Sequence, residues 1–313
     1  MPPIDASIVI CTFNRSQGLT ATLESMDALD TAGLNVELVV VDNNSCDDTK
    51  AVFETWTRRS RLPARYLFEA QQGLSFARNA GVRVAQGEII AFTDDDVTVD
   101  PAWIRELVSA MRKTGAAAAG GKILPAWAGP VPRWLTPELY SYLALLDHGD
   151  AVRVMEEPRI YGANFAVRAS WFERVSFETS LGRIGTKLRI GEDTTLLGQI
   201  MEQGGKLLYW PSGVVHHRID ATRMKKSYFR RWHYEMGLAQ GRVMEVNPRR
   251  ALFGIPYVVY RRLIGHACDW VVASAKREPP FRHELHAIRV LGSMRQRLRR
   301  PDPAQSRVPA ESA

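Results

Sequence analysis

An α/β fold with a doubly wound, mostly parallel sheet is what the 313-residue sequence predicts. Runs such as Leu38-Val39-Val40-Val41 are apolar at consecutive rather than alternate positions, the pattern of strands covered on both faces. These runs alternate with amphipathic stretches of helical period, in β-α-β-α order. Polar residues also gather where the runs end: Thr12 and Asn14, Asp42 to Ser45, and Asp94 to Asp96. Ligands of such sheets bind at the carboxyl ends of the strands, near the point where strand order reverses.

The elements follow in order. Ser7–Thr12 is the first strand, and Gln17–Leu29 a helix with Leu19, Leu23 and Met26 on one face. Val36–Val41 is the second strand, and Asp47 or Asp48 caps a helix that runs to about Arg59. Ala64–Phe68 is a strand, Leu74–Ala85 a helix, and Glu88–Phe92 a strand that leads directly into Thr93-Asp94-Asp95-Asp96. A helix over Pro101–Lys113 precedes a small-residue strand over Ala116–Ile123. Pro125–Pro158, rich in Pro, Trp and Gly, reads as loop with a short helix over Pro137–Leu146. Gly162–Val167, Lys206–Trp210 and Gly213–His217 are strands, and Glu192–Glu202 is a helix. Residues 1–222 are thus expected to form the α/β domain, 223–300 a basic amphipathic helical extension, and 301–313, Pro-rich and polar, a disordered tail.

Apolar residues make up 45% of the chain and charged ones 24%, enough apolar material for a buried core. The formal net charge of +7 is concentrated beyond residue 222, from Arg223, Lys225 and Lys226 to Arg249, Arg250, Arg261, Arg262, Arg299 and Arg300. Such an end suits an anionic membrane surface or phosphate-bearing substrates, and nucleic acid fits less well. Cys11, Cys46 and Cys268 form no disulfide framework. There is no secretory signal and no apolar run of membrane-spanning length, so the expectation is a cytoplasmic protein, peripheral on the inner face of the membrane.

Asp94-Asp95-Asp96 is the sharpest chemical signal. Three consecutive carboxylates repel one another, and a bound cation would relieve them. Oxygen ligands with substrate phosphates suit Mg²⁺ or Mn²⁺. Glu192-Asp193, after Gly191, is a second carboxylate pair at a helix start, where acids also serve as caps. His216-His217 lies on a strand, so the two rings point to opposite faces and only one can enter a site.

Five segments occur in order: Ser-Ile-Val-Ile-Cys-Thr-Phe-Asn-Arg (7–15), Val-Val-Val-Asp-Asn-Asn-Ser-Cys-Asp-Asp-Thr (39–49), Gly-Leu-Ser-Phe-Ala-Arg-Asn-Ala-Gly (73–81), Glu-Ile-Ile-Ala-Phe-Thr-Asp-Asp-Asp (88–96) and Gly-Glu-Asp-Thr-Thr-Leu (191–196). Together they resemble a family 2 glycosyltransferase of the GT-A fold, over roughly residues 5 to 220. The resemblance implies an inverting, metal-dependent enzyme that moves a sugar from a nucleotide-sugar to an acceptor hydroxyl. Thr12, Asn14 and Arg15 would line the nucleotide pocket. Asp42 and Asn43 would meet the base, with uridine expected, although this family often has two acids there. Arg78 and Asn79 would face the nucleotide or its diphosphate. Asp94 would bind ribose or sugar and share the metal with Asp96; Asp95 would do either. Asp193 is the implied general base, with Glu192 beside it, and His217, ahead of His216, the implied metal ligand.

Asn164 is expected near the sugar or acceptor, and Trp103, Trp127 and Trp134 could stack on sugars or serve as core. Tyr228-Phe229-Arg230-Arg231-Trp232 partly matches the Gln-x-x-Arg-Trp signature of processive synthases, with Tyr228 in place of Gln. Without transmembrane helices, this points to single addition, with Trp232 on the acceptor side and Arg230 or Arg231 approaching the diphosphate. The acceptor would be a sugar, a lipid-linked glycan or a protein, in polysaccharide or glycolipid synthesis. A nucleotidyltransferase is a competing reading, but its Gly-rich loop is replaced here by Thr-Phe-Asn-Arg (12–15). A non-catalytic sugar- or nucleic-acid-binding module would not need both carboxylate sets.

Overall fold

The computed structural model describes residues 3–183, 191–243, 251–276 and 280–298. The expected tail, and Arg249, Arg250, Arg299 and Arg300, lie outside them. The chain divides into two compact units: Met1–Val131 with Thr136–Ala221, and Pro132–Leu135 with Thr222–Ala313.

In the first unit, β1 (Ala6–Thr12), α1 (Ser16–Met26), β2 (Val36–Asp42), α2 (Thr49–Thr57), β3 (Ala64–Phe68), α3 (Leu74–Val84) and β4 (Ile89–Asp94) alternate along the chain. Every residue of β2 is buried, as its unbroken apolar run requires. There follow β5 (Val97–Val99), α4 (Trp103–Thr114), β6 (Ala118–Gly120), β7 (Ile123–Trp127), a 3-10 helix (Pro137–Leu143), β8 (Arg153–Val154), β9 (Phe165–Arg168), a 3-10 turn (Ala169–Glu173), α5 (Glu192–Glu202), β10 (Leu207–Tyr209) and β11 (Val215–Ile219).

The main sheet has the order β3-β2-β1-β4-β9-β6-β10-β8. β3, β2, β1 and β4 are mutually parallel, and β9 runs antiparallel between β4 and β6. From β1 the chain builds outward to β2 and β3, then returns to place β4 on the other side. Strand order therefore reverses between β1 and β4, opening a crevice at their carboxyl ends. A smaller sheet, β5-β11-β7, closes over this region, with β11 antiparallel to β5 and parallel to β7.

Two expectations change. The strand at Glu88–Phe92 extends to Asp94, so the first carboxylate belongs to the strand itself. The strand at Ala116–Ile123 splits into β6 and β7, which join different sheets. The break falls at Gly121, where a Cβ would sit 1.9 Å from the Gly213 carbonyl oxygen. Only a glycine backbone permits that approach. The core between sheet and helices includes Phe92 stacked on Phe165 (4.7 Å between centroids) and edge-on to Phe177.

The second unit contains α6 (Lys226–Val243), a hairpin of β12 (Ala251–Leu252) and β13 (Ile255–Pro256), α7 (Tyr257–Ala275) and α8 (Phe281–Leu298). Trp134 packs edge-on against Phe229 and Phe281, which explains why Pro132–Leu135 belong with this unit. Arg230 Nε donates to Glu284 Oε1 at 2.5 Å, joining α6 to α8 within this unit. Trp232 lies on α6, half-buried, its ring edge-on to His233.

Candidate active site

The carboxylate cluster begins where β4 ends and turns into β5. Asp95 points back under the sheet: its carboxylate accepts from Thr12 Oγ1 at 2.8 Å and Arg15 Nη1 at 3.0 Å. Its carbonyl accepts from Thr22 Oγ1 and Arg218 Nη2, each at 2.9 Å. Burial pushes the Asp95 carboxyl up to about 7, opposed by Arg15 and reinforced by Asp96. Asp95 is thus a fastener between β1, α1 and β11, a difference from its expected donor or metal role. Arg15 Nη1 also lies 3.0 Å from Asp96 Oδ2, and His217 Nε2 lies 3.3 Å from Asp96 Oδ1.

Asp94 sits closer to solvent, its carboxylate 35% exposed and 3.5 Å from Arg78 Nη2. Arg78 itself is buried, and its Nη1 donates to Glu192 Oε1 at 3.0 Å. One guanidinium therefore gathers carboxylates from the end of β4 and the start of α5. It lies 5.9 and 5.4 Å from the Phe165 and Phe177 ring centroids, whose faces favour a cation. Burial works against the Arg78 charge, but Glu192, Asp94 and Asp193 outweigh it and hold it protonated. Burial raises Asp94 and Glu192 above the usual carboxylate range, with Arg78 opposing in both. Gly162 makes the arrangement possible, since a Cβ there would stand 2.3 Å from Arg78 Nη2.

Asp193 follows Glu192 on α5 and is half-buried. Its Oδ2 accepts from the Gly162 amide at 2.6 Å and its Oδ1 from the Thr194 amide at 2.7 Å. Both bonds come from backbone, so the carboxylate has a fixed orientation while keeping access to solvent.

Several amides differ from expectation. Asn43 donates to the Glu69 and Gln71 carbonyls and accepts from the Gly73 amide, so its side chain holds the β3–α3 loop instead of standing free for a base. Asn79 exchanges hydrogen bonds with the Phe177 backbone, away from any diphosphate role. Asn164 is fully buried; it accepts from Trp103 Nε1 and donates to the Lys122 and Gly213 carbonyls, each at 2.8 Å. It pins the Gly121–Gly213 crossing and has no N–H left for a sugar. Asp42 accepts from the Ser45 amide and the Tyr66 hydroxyl. Asn14, in a left-handed conformation (φ 50°), accepts from the Cys46 amide and ties the β1–α1 loop to the β2–α2 loop. Trp103 is core, and Trp127 packs on Tyr140. On β11, His217 is buried beside Asp96, whereas His216 alternates to the other face and is half-exposed. Sequence reasoning missed Thr22, Tyr66 and Arg218. Arg218 follows the histidine pair and lies on the His216 side of β11, so only the tertiary fold gives it a role.

The cluster's repulsion is met by Arg15 and Arg78, so it does not by itself demand a metal. The donor chemistry nevertheless fits a hard divalent ion: Asp94 and Asp96 offer oxygen, and His217 a nitrogen beside Asp96. Among the described residues no three His, Cys, Asp or Glu gather into a complete metal site, so phosphate oxygens would have to complete the shell. A cavity of about 770 Å³, lined by Ile4, Asn35, Val36 and Leu62, lies at the opposite, amino-terminal edge of the sheet and contributes nothing to this chemistry.

Residues 7–176, more than half of the chain, match the family model for Glycosyl transferase family 2. The chain belongs to this family. It is 31% identical over 254 residues to succinoglycan biosynthesis protein ExoO of Rhizobium meliloti, covering 75% of this chain and 71% of that one. It is 27% identical over 222 residues to a glucosyl-dolichyl phosphate glucuronosyltransferase of Haloferax volcanii, covering 69% and 70%. The mannosyltransferase PcManGT from Pyrobaculum calidifontis, solved with GDP-Man and Mn²⁺, shares the fold: TM-score 0.62, 17% identity, 95% of this chain and 87% of that one. The family's fold thus carries the crevice described above, and glycosyl transfer is the family's chemistry.

Proposed function

We propose that this glycosyltransferase is inverting and metal-dependent, and adds one sugar from a nucleoside-diphosphate sugar, with uridine the expected base, to an acceptor hydroxyl. The observation that carries this reading is Arg78 joining Asp94 to Glu192, which brings the two acidic segments into one crevice at the strand-order reversal. Asp94 meets the ribose or sugar. Asp96 and His217 hold Mn²⁺ or Mg²⁺, which when bound supplies Lewis-acid neutralisation of the departing diphosphate. The Mn²⁺ in the mannosyltransferase structure supports that assignment. Glu192 keeps Arg78 charged and in place. Asp193, held by the Gly162 and Thr194 amides, accepts the acceptor's proton as its oxygen attacks the anomeric carbon. Attack from the side opposite the leaving group gives a single displacement with inversion.

Thermal shift against UDP-, GDP-, dTDP- and CMP-sugars with Mn²⁺ tests the donor. One donor at a hundred times its Kd should add about 2.7 kcal/mol of stability, and Asp96→Ala should remove the Mn²⁺-dependent part. Release of pyrophosphate instead of nucleoside diphosphate would replace sugar transfer with nucleotidyl transfer.

The acceptor, on this reading, is a lipid-linked glycan met at an anionic membrane surface. The dolichyl-phosphate relative supports a lipid carrier. No described helix is long and apolar enough to cross a membrane. However, α7 exposes Tyr257, Ile264 and Val271 at helical spacing, with Val258 and Val272 alongside, and Phe253 is 78% exposed at the β12–β13 turn. Arg261 adds a cation to the same stripe. The chain should co-sediment with anionic vesicles, and Ile264→Glu with Val271→Glu should abolish this. A concentration-dependent dimer with no vesicle binding would overturn the membrane reading.

A further inference from the structure

A cavity of about 270 Å³ opens among α6, α7 and α8, separate from the carboxylate crevice. On the scale of ~30 Å³ per water it has room for roughly nine waters, or for a small polyanion. Its polar lining is Gln240, Arg262, His266, His286, Arg289 and Ser293, with no carboxylate. Gln240 Oε1 accepts from Arg289 Nε at 3.0 Å, fixing that guanidinium at the wall. The His266 and His286 rings lie 5.0 Å apart, and buried His233 follows 6.2 Å beyond His286.

Of the acids on the described parts of these helices, Glu284 pairs with Arg230, Asp269 lies 3.8 Å from His283, and Glu235 on α6 does not line the cavity. Among the described residues neither Arg262 nor Arg289 has an acidic partner. Two permanent cations and two imidazoles thus line one concavity without a counter-charge, which is unfavourable in a partly desolvated site until an anion enters.

We propose that this cavity is a second, non-catalytic binding site for a phosphate or diphosphate group. Guanidinium forks match phosphate oxygens in pairs, and imidazole and amide N–H groups add further donors. The electrostatics agree: burial pushes His286 down and the surrounding His266, Arg282, Arg289 and His283 add to it, while burial, Arg289 and His286 push His233 down to about 3. An entering anion reverses the cationic part of that field. The site is independent of the donor reading, because it shares no residue with the crevice.

Calorimetry on the full chain with inorganic pyrophosphate, in chelator and without metal, tests it. Saturable 1:1 binding is expected, unchanged by Asp96→Ala. Arg262→Gln and Arg289→Gln should each weaken it at least about tenfold, the loss of a charge-assisted hydrogen bond. Arg262 is exposed, so its variant should fold normally. In the unsubstituted protein the imidazole resonances of His266 and His286 should move on titration while that of His148 stays. Absence of saturable binding at millimolar pyrophosphate, or binding indifferent to both substitutions, overturns the proposal. Vesicles containing phosphatidic acid identify the source of the phosphate. Weaker vesicle binding by Arg289→Gln assigns a lipid phosphate; unchanged vesicle binding with lost pyrophosphate binding assigns a soluble one.

Discussion

Asp193→Asn should reduce turnover by roughly a thousandfold, within the 10²–10⁴ range a positioned general base contributes, while leaving donor binding and folding intact. The substitution is close to isosteric, and the new amide oxygen can still accept from the Gly162 or Thr194 N–H, the two bonds that orient the carboxylate. What disappears is the ability to take a proton. Stopped assays of nucleoside diphosphate release, alongside donor titration by calorimetry, separate these effects. Transfer at near the parent rate would remove Asp193 from the mechanism. A parallel loss of donor affinity would show that it acts through the Gly162 loop.

Arg78→Met should be the most damaging single change to stability. The methionine occupies the space between Phe165 and Phe177, but Glu192 is left buried without its cation, at a cost of about 3–5 kcal/mol. Glu192 is already raised by burial, and the loss of Arg78, which opposes that rise, should raise it further. The double variant Arg78→Met with Glu192→Gln removes the uncompensated charge and should recover most of the lost stability in urea unfolding, yet regain no activity, because Asp94 and α5 are no longer joined. If the single variant unfolds like the parent, or the second substitution gives no recovery, the ion pair is not what holds α5 to β4.

The divergences between sequence and structure have a common origin in the asparagines. Asn43, Asn79 and Asn164 look alike on paper: each is polar and sits in a motif beside an expected ligand site. In the folded chain all three amides are engaged by backbone that lies far away in sequence, such as Phe177 for Asn79 and Gly213 for Asn164. Buried main-chain groups must find partners, and where loops cross, an asparagine supplies both a donor and an acceptor. The Asp cluster shows the same thing for charge. The strand ends at Asp94, and in the turn that follows Asp95 is directed under the sheet to Thr12 and Arg15.

The amino-acid sequence by itself determined the α/β class, the order of strands and helices, the family, and the strand ends at which chemistry gathers, because local periodicity and covered strands leave their pattern in consecutive residues. Only the tertiary structure decided which side chains face the crevice and which fasten it: Arg78 between Asp94 and Glu192, His217 rather than His216 beside Asp96, Arg218 beneath Asp95. Apart from Arg78 with Asp94, those contacts join residues more than a hundred positions apart, such as Arg78 with Glu192 at a separation of 114. Such pairings leave no local pattern, because they come into being only when the sheet brings the strand ends together.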